Sequence, residues 1–169
     1  MFLFRIMRWV VYIVLIFIIL LATIKLYEKK KKKNTLADFD QENVVALTFD
    51  DGPVPATRDV IVMLNELGIK ATFFVLGDET SRRPELVTFA YESGHTVASH
   101  SWNHPHVLGF RSKDYIEYQL FKAEDTIKQA TGVIPRFFRA PFGETSPWLN
   151  FILREKNQIG VHWTLSLRD

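Results

Sequence analysis

From Val44 onward the spacing of apolar positions switches regularly between two periods. The run "VVALTFD" (44–50) is apolar and β-branched and predicts a buried strand. Next, "TRDVIVMLNELGIK" (57–70) sets Val60, Ile61, Leu64 and Leu67 at helical spacing and stops at Gly68, and "ATFFVLG" (71–77) predicts a second strand. Pro84 opens the helix of "PELVTFAYESG" (84–94), "HTVASHS" (95–101) predicts a third strand, and "DYIEYQLFKAEDTIKQATG" (114–132) a long amphipathic helix ending at Gly132. "RFFRAPFG" (136–143) predicts a fourth strand, "SPWLNFILREKN" (146–157) a helix and "IGVHWTLSL" (159–167) a fifth strand. Strands alternating with helices predict an α/β fold with a parallel sheet and helices outside it, either open or closed as a barrel.

The N-terminus differs in kind. Trp9 to Ile24, "WVVYIVLIFIILLATI", carries no charge, and with Phe2, Leu3, Phe4 and Ile6 it covers a hydrocarbon core of roughly 30 Å if Arg5, Arg8 and Lys25 reach outward to the headgroups. The following "TIKLYEKKKKK" offers no small-x-small cleavage site, so residues 1–27 are expected to be an uncleaved membrane anchor. Residues 28–43 then form a lysine-rich polar linker, and 44–169 the globular domain. The run Lys29 to Lys33 with Lys25 outweighs Arg5 and Arg8, which by charge alone directs the C-terminal part to the cytoplasm. The chemistry below points outward instead, and the charge rule has less hold over a long translocated domain.

Composition narrows the rest. With 169 residues, 47% apolar and 24% charged, the chain suffices for one domain with a real core. The net charge of +2 is concentrated in the lysine run, so no basic face for nucleic acid is expected, and no protein partner is predicted. Cysteine is absent, which leaves histidine and carboxylates as the metal ligands available.

In parallel α/β sheets the site lies at the carboxyl ends of the strands. Asp50 and Asp51 end the first predicted strand, His100 ends the third with His104 four residues on, and Arg139 falls in the fourth, so all converge on one edge. Two histidines and one carboxylate form a facial set for Zn²⁺ or a similar divalent ion, with positions left for water and substrate. If Asp51 is the third ligand, Asp50 must point elsewhere, unless the backbone turns, and Gly52-Pro53 is expected to supply that turn. Asp50 would then lie beside the water and take its proton, with Arg139 holding the carboxylate ionised. Taken singly, Asp-Asp-Gly-Pro is an ordinary turn, His-x-x-x-His a loop, and Arg139 a strand cap; together they are the machinery of hydrolysis. His95 is expected to make a structural hydrogen bond, His106 to be exposed, and His162 to sit on the fifth strand facing away. Trp102, Trp148 and Trp163 read as packing residues, Trp163 also as a groove lining.

The segments "TFDDGP", "HSWNH" and "RAPFG", in this order and at these separations, resemble the first three motifs of the polysaccharide deacetylase family, the NodB-homology domain of carbohydrate esterase family 4. The resemblance covers Val44 to the last residue. It implies a distorted (β/α) barrel, preceded here by one transmembrane helix, that removes acetyl groups from N-acetylated polysaccharides such as peptidoglycan or chitin with a bound divalent metal, for which Zn²⁺ is expected first and Co²⁺ or another divalent ion is the alternative. By motif it makes Asp50 the catalytic base, Asp51, His100 and His104 the metal ligands and Arg139 the residue that positions the base. Pro141 and Phe142 match groove-wall positions, Phe142 standing where many members have Tyr, and its backbone N–H would hold the oxyanion.

The chain also departs from the family pattern. In "HWTLSLRD", Trp163 and Asp169 fit a further motif, but Ser166 stands where an acid is usual. The family's Leu-x-His, whose histidine is the general acid, does not follow, nor do the strands that would close the barrel. Two expectations result: a membrane-anchored, extracytoplasmic deacetylase, with low or no turnover from these 169 residues alone, or a catalytically incompetent remnant or glycan-binding module.

Overall fold

The structure, a computed structural model, describes residues 44–166. The expected anchor (1–27), the linker (28–43) and Asp169 lie outside the described residues. Among the described residues no helix is long and apolar enough to cross a membrane.

Five parallel strands form one sheet in sequence order: β1 (Thr48–Gly52), β2 (Thr72–Val75), β3 (Thr96–Ser99), β4 (Phe137–Phe138) and β5 (Ile159–Gly160). Between them run α1 (Thr57–Glu66), α2 (Gly77–Arg82), α3 (Pro84–Glu92), α4 (Lys113–Thr131) and α5 (Pro147–Glu155), with short 3₁₀ turns at Leu108–Phe110 and Pro141–Gly143. The α/β architecture with a parallel sheet is the one that the alternating pattern predicts.

Phe73, Phe74 and Val75 of β2 and Val97, Ala98 and Ser99 of β3 are buried at consecutive positions, so neither face of these strands meets solvent. One core cluster joins Phe73, Val75 and Val97 of the sheet to Ile61 and Leu64 of α1, Val87 and Ala90 of α3 and Ile127 of α4. A second joins Phe138 to Ile116 and Leu120 of α4 and Leu149, Ile152 and Leu153 of α5. The long helix α4 therefore belongs to both. Its start is capped by Ser112, whose Oγ accepts from the Tyr115 amide at 3.4 Å, and α5 is capped by Ser146, which accepts from the Leu149 amide at 3.1 Å. Lys156 just past α5 pairs with Glu124 of α4 at 2.6 Å. At the end of α1, Gly68 takes φ +66, which lets the Ile69 amide reach back to the Leu64 carbonyl at 2.9 Å.

Three expectations are corrected. The first strand begins at Thr48; Val44 to Leu47 lie outside it and are exposed, because β1 is a marginal strand paired with β2 alone. The fifth strand is two residues long rather than nine. Its partner β4 ends at Phe138, and beyond it the chain turns at Pro141, which has no N–H to offer, and Phe142, at φ +55, so the ladder cannot extend. His162 and Trp163 accordingly lie past the strand, and His162 is exposed. Last, the second strand stops at Val75 and a helix absent from the sequence reading, α2, begins at Gly77.

Candidate active site

The register of β1 against β2 pairs Thr48 with Thr72, Phe49 with Phe73 and Gly52 with Val75. Asp50 and Asp51 thus stand opposite the single residue Phe74, which is a bulge. Asp51 has φ +65. The turn that separates the two carboxylates lies at Asp51 itself, inside the strand, rather than at Gly52-Pro53 as the sequence suggested. A bulge breaks the strand's strict alternation, so adjacent acids can serve one site in different ways.

His100 and His104 come from the loop after β3. The His100 ring is buried, and its Nδ1–H donates to the Arg139 backbone carbonyl at 2.7 Å. A carbonyl can only accept, so Nδ1 carries the proton and Nε2 presents its lone pair. Burial pushes the His100 pKa below its ordinary 6.5, against the opposing pull of the Arg139 carbonyl and the Asp50 and Asp51 carboxylates. The ring is therefore neutral near pH 7, the form that ligates a metal.

Asp51 Oδ1 lies 3.5 Å from His100 Nε2 and 3.4 Å from His104 Nε2, and one donor atom from each of the three residues falls within 4.8 Å of the others. The two distances from Asp51 exceed the range of an ordinary N–H···O hydrogen bond, about 2.7–3.2 Å. The two distances from Asp51 match the edge of a tetrahedral donor set, about 3.3–3.6 Å for bonds of about 2.0–2.2 Å. Asp51, His100 and His104 thus fit a divalent ion.

Arg139 follows β4 and is almost wholly buried. Its Nη1 donates to Asp50 Oδ1 at 2.6 Å and to Thr48 Oγ1 at 2.9 Å, and the guanidinium lies 3.9 Å from the centre of the Phe74 ring. A charge-assisted bond of this length fixes the direction of the carboxylate. One residue therefore serves both halves of the site: the Arg139 side chain holds Asp50 and its backbone carbonyl orients His100.

The remaining candidates gather around this centre. Phe142 lies edge-on to the His104 ring at 4.5 Å between centroids, while its other neighbour, the exposed His106, stacks on it at 4.3 Å. Pro141 is buried in the same turn. Trp163 has its ring 5.9 Å from the Arg139 guanidinium carbon. Its indole also crosses Gly143 so closely that a Cβ there would sit 2.9 Å from it. His95 is elsewhere: its Nδ1 accepts from the Ala71 amide at 3.3 Å and its ring meets Phe73 edge-on, a structural role as expected.

Sequence reasoning missed the supports. Thr48 completes the seat of Arg139. The first residues at α2 grip both ligand-bearing segments: the Leu76 amide donates to the Gly52 carbonyl at 2.8 Å, Gly77 to Ser101 at 3.0 Å and Asp78 to Trp102 at 2.9 Å. Gln119 of α4 hydrogen-bonds the loop between the two histidines. A signal existed for Gln119, which is a polar residue inside the Ile116, Leu120, Ala123, Ile127 stripe.

With fold and site in place, comparison with known proteins gives the family. The polysaccharide deacetylase family model matches residues 38–162, and the chain belongs to that family. It is 42% identical over 129 residues to the peptidoglycan-N-acetylglucosamine deacetylase PgdA of Listeria monocytogenes, covering 74% of this chain and 26% of that protein. It is 33% identical over 133 residues to chitin deacetylase 1 of Cryptococcus neoformans, covering 79% of this chain and 28% of that one. The chain thus spans only about a quarter of the length of these two relatives. Among solved structures, a family 4 carbohydrate esterase from Streptomyces lividans in complex with acetate superposes with a TM-score of 0.69 at 32% identity, covering 72% of this chain and 63% of that one.

Proposed function

We propose that this protein hydrolyses the N-acetyl groups of a cell-wall or related polysaccharide, a peptidoglycan- or chitin-like polymer of N-acetylglucosamine. The observation that carries the reading is the meeting of Asp51, His100 and His104 next to a carboxylate, Asp50, that a buried guanidinium holds. Asp51, His100 and His104 would hold the ion, with Zn²⁺ or Co²⁺ suited to this mixed nitrogen and oxygen set. A divalent ion bound there would polarise the acetyl carbonyl and bring the pKa of water toward neutrality.

The chain's own residues do the rest. Asp50 accepts a proton from the attacking water, and Arg139 keeps Asp50 aimed. The backbone N–H of Phe142 donates to the carbonyl oxygen as negative charge develops on it. Pro141, Phe142 and Trp163 form walls of the glycan groove, where flat faces suit the apolar side of a sugar ring. We read the five-stranded sheet as part of a distorted (β/α) barrel, and residues 1–27 as a single-pass anchor that leaves the domain outside the cell, where wall glycan lies.

The test is acetate release by the full chain from N-acetylated chitooligosaccharide and from peptidoglycan. Release that requires added Zn²⁺ or Co²⁺ and stops on chelation is the expected result. A protein that binds metal through Asp51, His100 and His104 yet releases nothing above background overturns the hydrolase reading. Protease accessibility of the domain in intact cells tests the outward placement.

A further inference from the structure

The five-residue loop that carries both histidines is held in an unusual backbone. Ser101 has φ +74 and His104 has φ +56, left-handed values that residues with a Cβ populate sparsely. Such a conformation persists only where the surroundings over-determine it. Two supports bind the loop's carbonyls, the Gly77 and Asp78 amides described above, and one is internal, the His104 amide donating to Ser101 Oγ at 3.1 Å.

The amide side of the loop depends on Gln119. Its side chain is 1% exposed, yet every hydrogen-bonding direction it has is used on or beside the loop. Oε1 accepts from the Trp102 amide at 3.1 Å and the Asn103 amide at 3.3 Å. Because both partners are N–H donors, the orientation of the side-chain amide is forced. Nε2 then donates to Asn103 Oδ1 at 2.9 Å and to the Tyr115 hydroxyl oxygen at 3.3 Å. Those bonds grip the peptides of Trp102 and Asn103, halfway between His100 and His104.

We infer that Gln119 is a positioning residue for the metal centre: from α4 it sets the separation of the two imidazoles without touching the ion. The polar residue in an apolar stripe is explained by this task, since a hydrocarbon there would leave the Trp102 and Asn103 amides without their acceptor. The inference rests on the reading of Asp51, His100 and His104 as ligands, and groups one step out from a metal ligand typically govern affinity by about 10- to 100-fold.

The measurement is Zn²⁺ affinity of the full chain by chelator competition, with the thermal midpoint of the metal-free protein alongside. Gln119→Met, of similar volume but without the bonds, is expected to weaken binding by about 10- to 100-fold. Gln119→Glu, which keeps both acceptor bonds, is expected to bind close to the wild-type level. Asn103→Ala, an exposed position that leaves the core intact, is expected to give a smaller loss in the same direction. A residue that merely stabilised the fold would lower the metal-free midpoint and leave the affinity of the folded protein unchanged. Wild-type affinity in both Gln119→Met and Asn103→Ala overturns the inference, as does wild-type affinity in Asn103→Ala alone if Gln119→Met does not fold. Wild-type protein that binds no Zn²⁺, or binds it equally well as Asp51→Ala, sinks the ligand reading instead and the inference with it.

Discussion

Arg139 and Asp50 are separated by 89 positions in the chain and by 2.6 Å in the fold. The guanidinium is almost entirely shielded from water and the carboxylate is partly open, so the acid is anchored from behind and presented from the front. A carboxylate arranged in this way keeps a fixed direction.

Replacing Asp50 by Asn keeps the shape and an acceptor for Arg139 but removes the proton-accepting charge. Acetate release is expected to fall by about 10²- to 10⁴-fold, the usual share of a general base. Zn²⁺ affinity is expected to remain near the wild-type value. Loss of metal in the Asn variant, measured by competition titration, would exchange the roles assigned to Asp50 and Asp51.

Metal and fold stability should be linked through Asp51. At Zn²⁺ concentrations about 100 times the dissociation constant, a ligand that binds only the native state adds about 2.7 kcal/mol. The thermal midpoint is therefore expected to rise with Zn²⁺ and to drop on chelation in the wild type, and to stay flat across both conditions in Asp51→Ala. An equal rise in the variant would place the ion elsewhere.

Gly77 tolerates no side chain. A Cβ built there meets Trp102 Cε3 at 2.5 Å and the Ala123 Cα at 2.7 Å, and the second of these is backbone that cannot swing aside. Gly77→Ala is expected to destabilise the protein by about 1–3 kcal/mol in urea unfolding, as overpacking does. Because the Gly77 amide holds the Ser101 carbonyl, the same change should also weaken metal binding. Unaltered unfolding midpoints would contradict the close approach of α2 to α4.

The metal-free protein is expected to lose stability as the pH falls below about 6.5. Burial, and secondarily the charge of Lys70, pushes the His95 pKa below 6.5, and its Nδ1 is committed to accepting from Ala71. An unfolded chain takes up the proton as pH drops through 6.5 while the native ring stays neutral to a lower pH. The unfolded state thus binds more protons, and stability present above 6.5 declines below it. His100 is depressed by burial as well and acts in the same direction. His95→Asn should flatten part of the slope between pH 7.5 and 5.5 in urea midpoints; identical slopes for both proteins would refute the role.

Much of this is legible in the sequence. Thr72–Val75, Thr96–Ser99 and the long helix over Lys113–Thr131 carry strong periodicity bounded by Gly, Ser or Pro, so local preference and final packing agree. The convergence of Asp50, Asp51, His100, His104 and Arg139 follows from parallel topology, which sends strand ends to one edge. What escaped was imposed by tertiary contact. A left-handed Asp51 has no local signature, since nothing in "FDDGP" separates a bulge from a turn. The six-residue helix at Gly77–Arg82 has no room for an apolar period. The brevity of β5 is dictated by its partner β4, not by its own residues, which read as a longer strand.

The peptide carbonyl of residue 139 steadies the buried imidazole whatever side chain that residue bears, whereas the acid across the site is held, among the described residues, by the guanidinium. On the function proposed above, a single codon change at this position would silence turnover while the cation cradle survives. An enzyme and a mute sugar receptor would then be neighbours in sequence space.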